Sequence, residues 1–288
     1  MYGASPEVKL KVPEPEPKTA QRTTRRTSTT SSRKGSYSEQ RSTARDLKSR
    51  PIGISNELYF CYLNAVAQAL MGIECLTEGL IERNKAGKVG PYTKAFIELI
   101  KDQKIGRDTN AKSLKLLALD TFNHNDQHDA HEFLLHLLSN IQEEACSTKP
   151  KEVPAEFADA ESAWSFYKKY HNSVIDELFA GQISSRVTCD NCNSVSYSYD
   201  PTMDLSLPLN NRNRSLDDCI SSYFKPEELP DLYNCEKCKK SAKAVKKFSL
   251  EKMPRVLVLH LKRFQMFPKK KKISEFVSFP VDSLSLRK

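Results

Sequence analysis

Cys61 stands where the turn-like stretch Asn56-Glu57-Leu58-Tyr59-Phe60 gives way to apolar residues at helical spacing, namely Leu63, Val66, Ala67 and Leu70. A thiol opening a helix lies among unpaired backbone N–H groups at the positive end of the dipole, where a thiolate is favoured. That placement suits a nucleophile; the plainer alternative is a small buried hydrophobe. Four further cysteines form two Cys-x-x-Cys pairs, Cys189/Cys192 and Cys235/Cys238, and each pair can offer two thiolates to one tetrahedral zinc. The 42 residues between the pairs exceed the spacing of compact zinc ribbons, so spacing alone leaves two unrelated pairs open. Placement favours one closed structural centre, because each pair sits beside strand-like segments, as two knuckles at the tip of a sheet would. A thioredoxin-like redox role is the weaker reading, since neither pair opens a helix in a βαβ pattern. Cys75, Cys146 and Cys219 fall outside both motifs, and Cys219 lies among apolar helix positions that read as core.

The elements that must position these residues divide the chain. Cys61 to Met71 reads as a buried helix stopped at Gly72, and Tyr92 to Lys101 and Ser113 to Leu119 read as further helices. Ala130, Phe133, Leu134, Leu137, Leu138 and Ile141 form a continuous helical stripe, with Asp126 as its expected N-cap. A helix is also expected around Trp164 to Tyr170. Beyond it, Gln182 to Thr188, Ser194 to Tyr199, Ala244 to Leu250, Arg255 to Phe264 and Glu275 to Phe279 carry the β-branched and aromatic residues of strands. One helix, Ser215 to Phe224, interrupts them behind the capping box Ser215-x-x-Asp218.

Charge separates a tail from a body. Of the formal +9, residues 1–50 carry 12 Lys/Arg against 5 Asp/Glu, whereas residues 51–288 carry 33 against 31. The Pro, Ser, Thr and Lys/Arg-rich tail lacks an apolar pattern able to offset the entropy of ordering and is expected to be disordered. Arg25-Arg26 and Arg33-Lys34 read first as a solvated linker, and otherwise as a nuclear signal, a nucleic-acid contact or a phosphorylation platform. Lys269 to Lys272 reads as an exposed hairpin loop. With no membrane-length apolar run and no signal-peptide core, the expectation is a soluble intracellular protein whose cysteines stay reduced.

Two more stretches accompany the Cys61 segment. Gln127, Asp129, Ala130, Glu132, Phe133 and Leu134 form one; Leu257-Val258-Leu259-His260-Leu261-Lys262-Arg263-Phe264 forms the other. With Gly53, Ile54, Asn56, Cys61, Tyr62, Asn64 and Gln68 they resemble, in order, three boxes of the ubiquitin-specific proteases, which are papain-like cysteine deubiquitinases. The likeness runs from about Pro51 to Pro280. It implies an α+β papain-like fold over 51–288, incomplete at its C-terminus: a helical thumb over 51–170, then strand-rich, zinc-binding fingers and part of the palm over 171–288, behind the 1–50 tail. It further implies Cys61 as the nucleophile that attacks the C-terminal glycine carbonyl of ubiquitin, giving a thioester that water hydrolyses. Asn56 would donate its amide N–H to the oxyanion. Structural zinc at Cys189, Cys192, Cys235 and Cys238 is implied too, with ubiquitin and ubiquitinated proteins as partners.

The chain departs from the family pattern in two places. Leu58 replaces the family's Gly three residues before the nucleophile, and Tyr59-Phe60 replaces a small or polar pair. If that position is left-handed, Leu costs roughly 1–2 kcal/mol there or shifts the loop. The family's catalytic His, followed by Asn or Asp, comes from downstream of the Leu-Lys-Arg-Phe strand, and no residue after Pro280 matches it. None of the six histidines, the cluster His124, His128, His131 and His136 included, is assigned as a substitute. The expectation is therefore a thiol-dependent ubiquitinyl hydrolase by resemblance, with little or no hydrolysis from these 288 residues. The alternative is a non-catalytic ubiquitin-binding scaffold. A zinc-ribbon nucleic-acid binder is the weakest reading, because residues 51–288 are nearly neutral and only the tail offers a basic contact.

Overall fold

Apolar residues recurring every three or four positions drive the first half of the body into helices, and alternation drives the second into strands. The computed structural model describes residues 52–284 and 286, except 86, 88, 124, 147, 210–214 and 266–270. The tail expected to be disordered lies outside the described residues. The chain divides into two units, Met1–Pro51 with Pro280–Ser285, and Ile52–Phe279 with Leu286–Lys288. Residues 280–284 of the first hold no helix or strand, and every element below belongs to the second.

Among the described residues seven helices come first: α1 (Cys61–Met71), α2 (Glu74–Lys85), α3 (Pro91–Lys104), α4 (Lys112–Ala118), α5 (Ala130–Ala145), α6 (Ala160–Tyr170) and α7 (Val174–Phe179). The apolar faces of α1, α3, α5 and α7 meet in one core where Leu63, Phe96, Phe133, Leu137, Leu138, Ile175 and Phe179 are fully buried. Each such side chain contributes about 1.5–3 kcal/mol. Two helices were not foreseen. In α2 only Leu76, Thr77 and Leu80 are buried, and Gly79 interrupts the pattern. A Cβ on Gly79 would lie 2.6 Å from Val174 Cγ2, so the glycine is what lets α7 close against α2. Helix α7 opens with a reciprocal capping box between Ser173 and Asp176.

The α5 cap corrects an expectation. Asp129, not Asp126, is the N-cap and accepts from the His131 N–H at 2.8 Å. Asp126 instead accepts from the Asn123 amide at 3.2 Å, tying a turn ahead of the helix.

The second half contains β1 (Gly181–Cys189), β2 (Val195–Thr202), β3 (Leu205–Pro208), α8 (Leu216–Tyr223), β4 (Glu227–Glu228), β5 (Tyr233–Asn234), β6 (Ser241–Ala242), β7 (Ala244–Lys252), β8 (Leu259–Lys262), β9 (Phe264–Gln265) and β10 (Lys271–Lys272). The main sheet is antiparallel in the order β2-β1-β7-β4. Strands β3 and β8 pair in parallel, Leu205 opposite Leu259, while β5/β6 and β9/β10 are short antiparallel pairs. Helix α8 has its expected capping box at Ser215 and Asp218, and Cys219 is fully buried.

Three strand expectations are corrected. Arg255 to Phe264 is not one strand, because the Arg263 N–H turns back to the Leu261 carbonyl at 2.7 Å, an i to i+2 kink separating β8 from β9. Glu275 to Phe279 makes only an isolated bridge, Ser278 with Ser215, and leaves Phe276 and Phe279 exposed. Lys271 and Lys272 pair on a strand rather than in a loop, and Lys269 and Lys270 lie outside the described residues. Among the described residues no helix is long and apolar enough to cross a membrane.

Candidate active site and metal centre

The segment leading into Cys61 is held from several directions by distant side chains. The Ile52 carbonyl accepts from the Gln68 amide at 2.9 Å and the Gln103 amide at 3.0 Å. Ile54 bridges Thr109 in parallel, and the Ser55 N–H donates to the Thr109 carbonyl at 2.9 Å. Asn64, one helical turn into α1, reaches back with its amide to the Ile54 and Ser55 carbonyls, both at 3.3 Å. The ammonium of Lys115, a residue only 8% exposed, donates to the Ser55 carbonyl at 2.9 Å and lies 5.2 Å above the Phe60 ring. Burial pushes the Lys115 pKa down, while the charge of Glu57 opposes that shift. Neither Lys115 nor Gln103 had drawn notice in the sequence; a lysine inside the apolar stripe of α4 was the available signal.

Leu58 has φ 65°, so the left-handed turn is kept with leucine in it, and the side chain is 65% exposed. The loop therefore carries the strain of that conformation rather than escaping it. Phe60 is the N-cap of α1 and is buried, yet no side chain caps the helix and its first turn holds no carboxylate. Cys61 is exposed at the first helical position, and Asn56 is exposed on the same loop. This junction can present a thiol to a partner beside uncapped N–H groups.

Residues of the second box pack beneath the first. The Tyr62 ring meets Phe133 at 5.5 Å and His128 at 5.3 Å, both edge-on. Burial and then the charge of Cys61 push the Tyr62 hydroxyl up to about 12. The hydroxyl of Tyr62 and the Oδ1 of Asn64 are buried without a hydrogen-bond partner among the described residues.

Cys61 makes no hydrogen bond to a described histidine, and His124 lies outside the described residues. His136 binds the Tyr92 hydroxyl at 2.8 Å, and burial lowers its pKa. His131 and His260, far apart in sequence, stack at 3.7 Å; His131 binds Asp204 at 3.1 Å and His260 binds Ser206 at 2.9 Å. The pair locks the start of α5 onto β3 and β8, a coincidence no local spacing announces.

Below these helices Asp176, 2% exposed, gathers Gln142 of α5, Tyr167 of α6 at 2.5 Å and both the hydroxyl (2.5 Å) and N–H (2.8 Å) of Ser173. Burial pushes this carboxyl up, but the bonds from Ser173, Tyr167 and Gln142 outweigh it and hold it below the ordinary carboxylate range.

The metal-ligand candidates converge as anticipated. The sulfur atoms of Cys189, Cys192, Cys235 and Cys238 all lie within 4.8 Å of one another, and none of these four is in a disulfide. The two turns repeat one geometry. Cys189 N–H donates to the Ser194 carbonyl and Asn193 N–H to the Cys189 carbonyl; Cys235 N–H donates to Lys240 and Lys239 N–H to Cys235, all at 2.8–3.0 Å. The residue after each second cysteine is left-handed, Asn193 at φ 55° and Lys239 at φ 53°. Cys192 and Cys235 sulfurs are 3.7 Å apart, close to the ~3.8 Å edge of a tetrahedron of thiolates about 2.3 Å from one ion. Ser194 bonds both sulfurs, at 3.0 and 3.2 Å, and with the Cys238 N–H holds the Cys235 thiol down to about 6. These four residues fit one metal ion.

Among solved structures, the chain resembles a yeast SAGA DUB module with a TM-score of 0.64 at 24% identity, covering 80% of this chain and 52% of that one. A SAGA DUB module bound to monoubiquitin gives the same score at 22% identity, covering 83% and 54%. The fold is that of these ubiquitin-specific protease domains, in the α+β class. The family model described as "Ubiquitin carboxyl-terminal hydrolase" matches residues 52–288, and the chain belongs to this family. Similar curated proteins include "Ubiquitin carboxyl-terminal hydrolase Usp2" of Drosophila melanogaster, 30% identical over 85% of this chain. "Ubiquitin carboxyl-terminal hydrolase 2" of Rattus norvegicus is 29% identical over 82%. The chain spans 28% of the first of these relatives and 42% of the second.

Proposed function

We propose that this chain binds ubiquitin and carries the nucleophile of a thiol-dependent deubiquitinase, an intracellular enzyme class that cleaves the isopeptide or peptide bond at the C-terminal glycine of ubiquitin. One observation carries the reading: Cys61 is exposed at the first position of an uncapped helix, behind a strained turn held by distant side chains. In the reaction the Cys61 thiolate attacks the glycine carbonyl, and the Asn56 amide donates to the developing oxyanion, a contact of a kind worth about 3 kcal/mol of barrier. The thumb corresponds to 51–170, and the fingers and part of the palm to 171–288. Zinc, the ion suited to four thiolates, is held by Cys189, Cys192, Cys235 and Cys238 as a closed structural centre that fixes the finger tip and takes no part in bond cleavage.

With no described histidine hydrogen-bonded to Cys61, no described imidazole is in place to take the thiol proton or protonate the leaving amine. The 288 residues are therefore expected to hydrolyse a ubiquitin C-terminal amide poorly while binding ubiquitin. That geometry also supports the second reading, a ubiquitin-binding scaffold without chemistry. Incubation with ubiquitin bearing a C-terminal vinyl electrophile separates them: adduct formation at Cys61, lost in Cys61→Ala, supports the nucleophile. Binding of ubiquitin without adduct supports the scaffold, and absence of ubiquitin binding sinks both.

A further inference from the structure

A cavity of about 400 Å3 opens between α6 and β2, the edge strand of the main sheet. One wall is Trp164 stacked on Tyr167 at 5.3 Å; the other is Tyr197 and Tyr199, whose rings lie 6.1 Å apart and parallel within 2°. The Trp164 N–H and the hydroxyls of Tyr197 and Tyr199 make no hydrogen bond to a described residue, and Tyr197 is 53% exposed. In the lining, Gln182 is 1% exposed, and its Oε1 has no partner among the described residues. Two carboxylates, Glu156 and Asp200, line the cavity beside His171, and no lysine or arginine is among its described lining residues, the Lys169 ammonium lying outside the lining, 5.4 Å from the Tyr170 ring centroid.

This combination specifies an occupant. The aromatic rings on both walls offer pyrrolidine rings surfaces to pack against. Unpaired indole and phenol donors match the carbonyls of an extended ligand that satisfies none of its own backbone groups. Carboxylates without a basic neighbour in the lining call for a cation, as does the orphan acceptor of Gln182. We infer that this groove docks a proline-rich segment of a partner protein, in polyproline II conformation and carrying a lysine or arginine. The site stands whether or not Cys61 is a nucleophile.

Trp164 is the chain's one tryptophan, so its emission reports this groove alone. Synthetic dodecapeptides with a Pro-x-x-Pro core and one arginine are titrated into the full chain while that emission is followed. The expected result is a saturable blue shift with a dissociation constant of tens to hundreds of micromolar, roughly the range of small, weakly buried interfaces. Replacing the prolines with glycine, or making Tyr197→Ala, should weaken binding about tenfold or more, since preformed polyproline and aromatic anchors supply the affinity. Glu156→Lys, a change at an exposed site, should weaken the arginine peptide and leave a glutamate-bearing peptide no worse. Circular dichroism melts confirm that each variant is folded. An unchanged spectrum up to about 1 mM peptide overturns the proposal, as that is weaker than such docking sites work at. So does equal binding of the glycine control, or a Trp164 response to ubiquitin with none to the peptides.

Discussion

The turn before Cys61 and the two cysteine knuckles solve the same problem by opposite means. Each bends the chain through a left-handed residue other than glycine: Leu58 in the first, Asn193 and Lys239 in the second. The knuckles close on their own backbone within six residues, and one uses asparagine, a type that tolerates this conformation. Leu58 has no such help, and its loop is fixed by Thr109, Gln103, Lys115, Asn64 and Gln68 reaching in from α1, α3, α4 and the strand-like bridge at Thr109. Each cysteine knuckle can thus be written locally, whereas the setting of Cys61 depends on the whole helical half.

Removing the proposed zinc tests the contrast hardest. If the four cysteines hold one zinc per chain as proposed, a strong chelator, or Cys235→Ser, should take it to none and remove stabilisation on the order of 10 kcal/mol from the knuckles. Hydrogen exchange should then accelerate across β1, β2 and β7 while α1, α3 and α5 stay protected; equal loss in both halves would erase the distinction.

Next in size is Asp176→Asn, expected to cost about 2–3 kcal/mol at neutral pH, since it weakens hydrogen bonds to a buried charge. The folded carboxyl is depressed, so its stabilisation is full above the ordinary carboxylate pKa of about 4 and is lost as pH falls through the lower folded value. Denaturant melts of wild type and variant should therefore converge in acid and separate above it. A gap that widens toward low pH contradicts this sign.

Lys115→Met should slow labelling of Cys61 by the ubiquitin electrophile about tenfold, equivalent to ~1.4 kcal/mol of barrier. Lys115→Arg should recover part of that rate with ubiquitin affinity unchanged. Full-speed labelling in the methionine variant would free the loop from its proposed strut.

Smallest is the pair Leu58→Gly and Asn193→Gly. Relief of the leucine should raise stability by about 1 kcal/mol, whereas the asparagine change should stay within a few tenths. Comparable shifts at both sites in thermal melts would show that Leu58 bears no special strain.

Much of this could be read along the chain. The stripes of α1 and α5 face the core, Ser215 caps α8 through Asp218, and both Cys-x-x-Cys pairs meet, because each signal is complete within a few residues. The left-handed position of Leu58 was legible once the first box was recognised. What escaped needed contacts across long separations: Gly79 matters only because Val174 presses on it, Arg263 kinks a run of sound strand formers, and Asp126 was outbid as a cap by Asp129 three residues on. Asn56 and Cys61 were singled out through residue type and order, and both are exposed at the junction before α1. Lys115 was missed because its role exists only where α4 passes the loop.

The parallel ladder of β3 and β8 places a constraint on assembly. Leu205 faces Leu259 only after the chain has travelled through α8, β4 and β7 and returned, so among the named strand pairs only β1 with β7 is more non-local. Zinc bound as proposed would join Cys192, ahead of β3, to Cys235, inside that excursion, and so shorten the effective loop before the ladder forms. The order of folding should then run from the knuckles inward, and a chain starved of metal should stall with its hairpins made and this register unsealed.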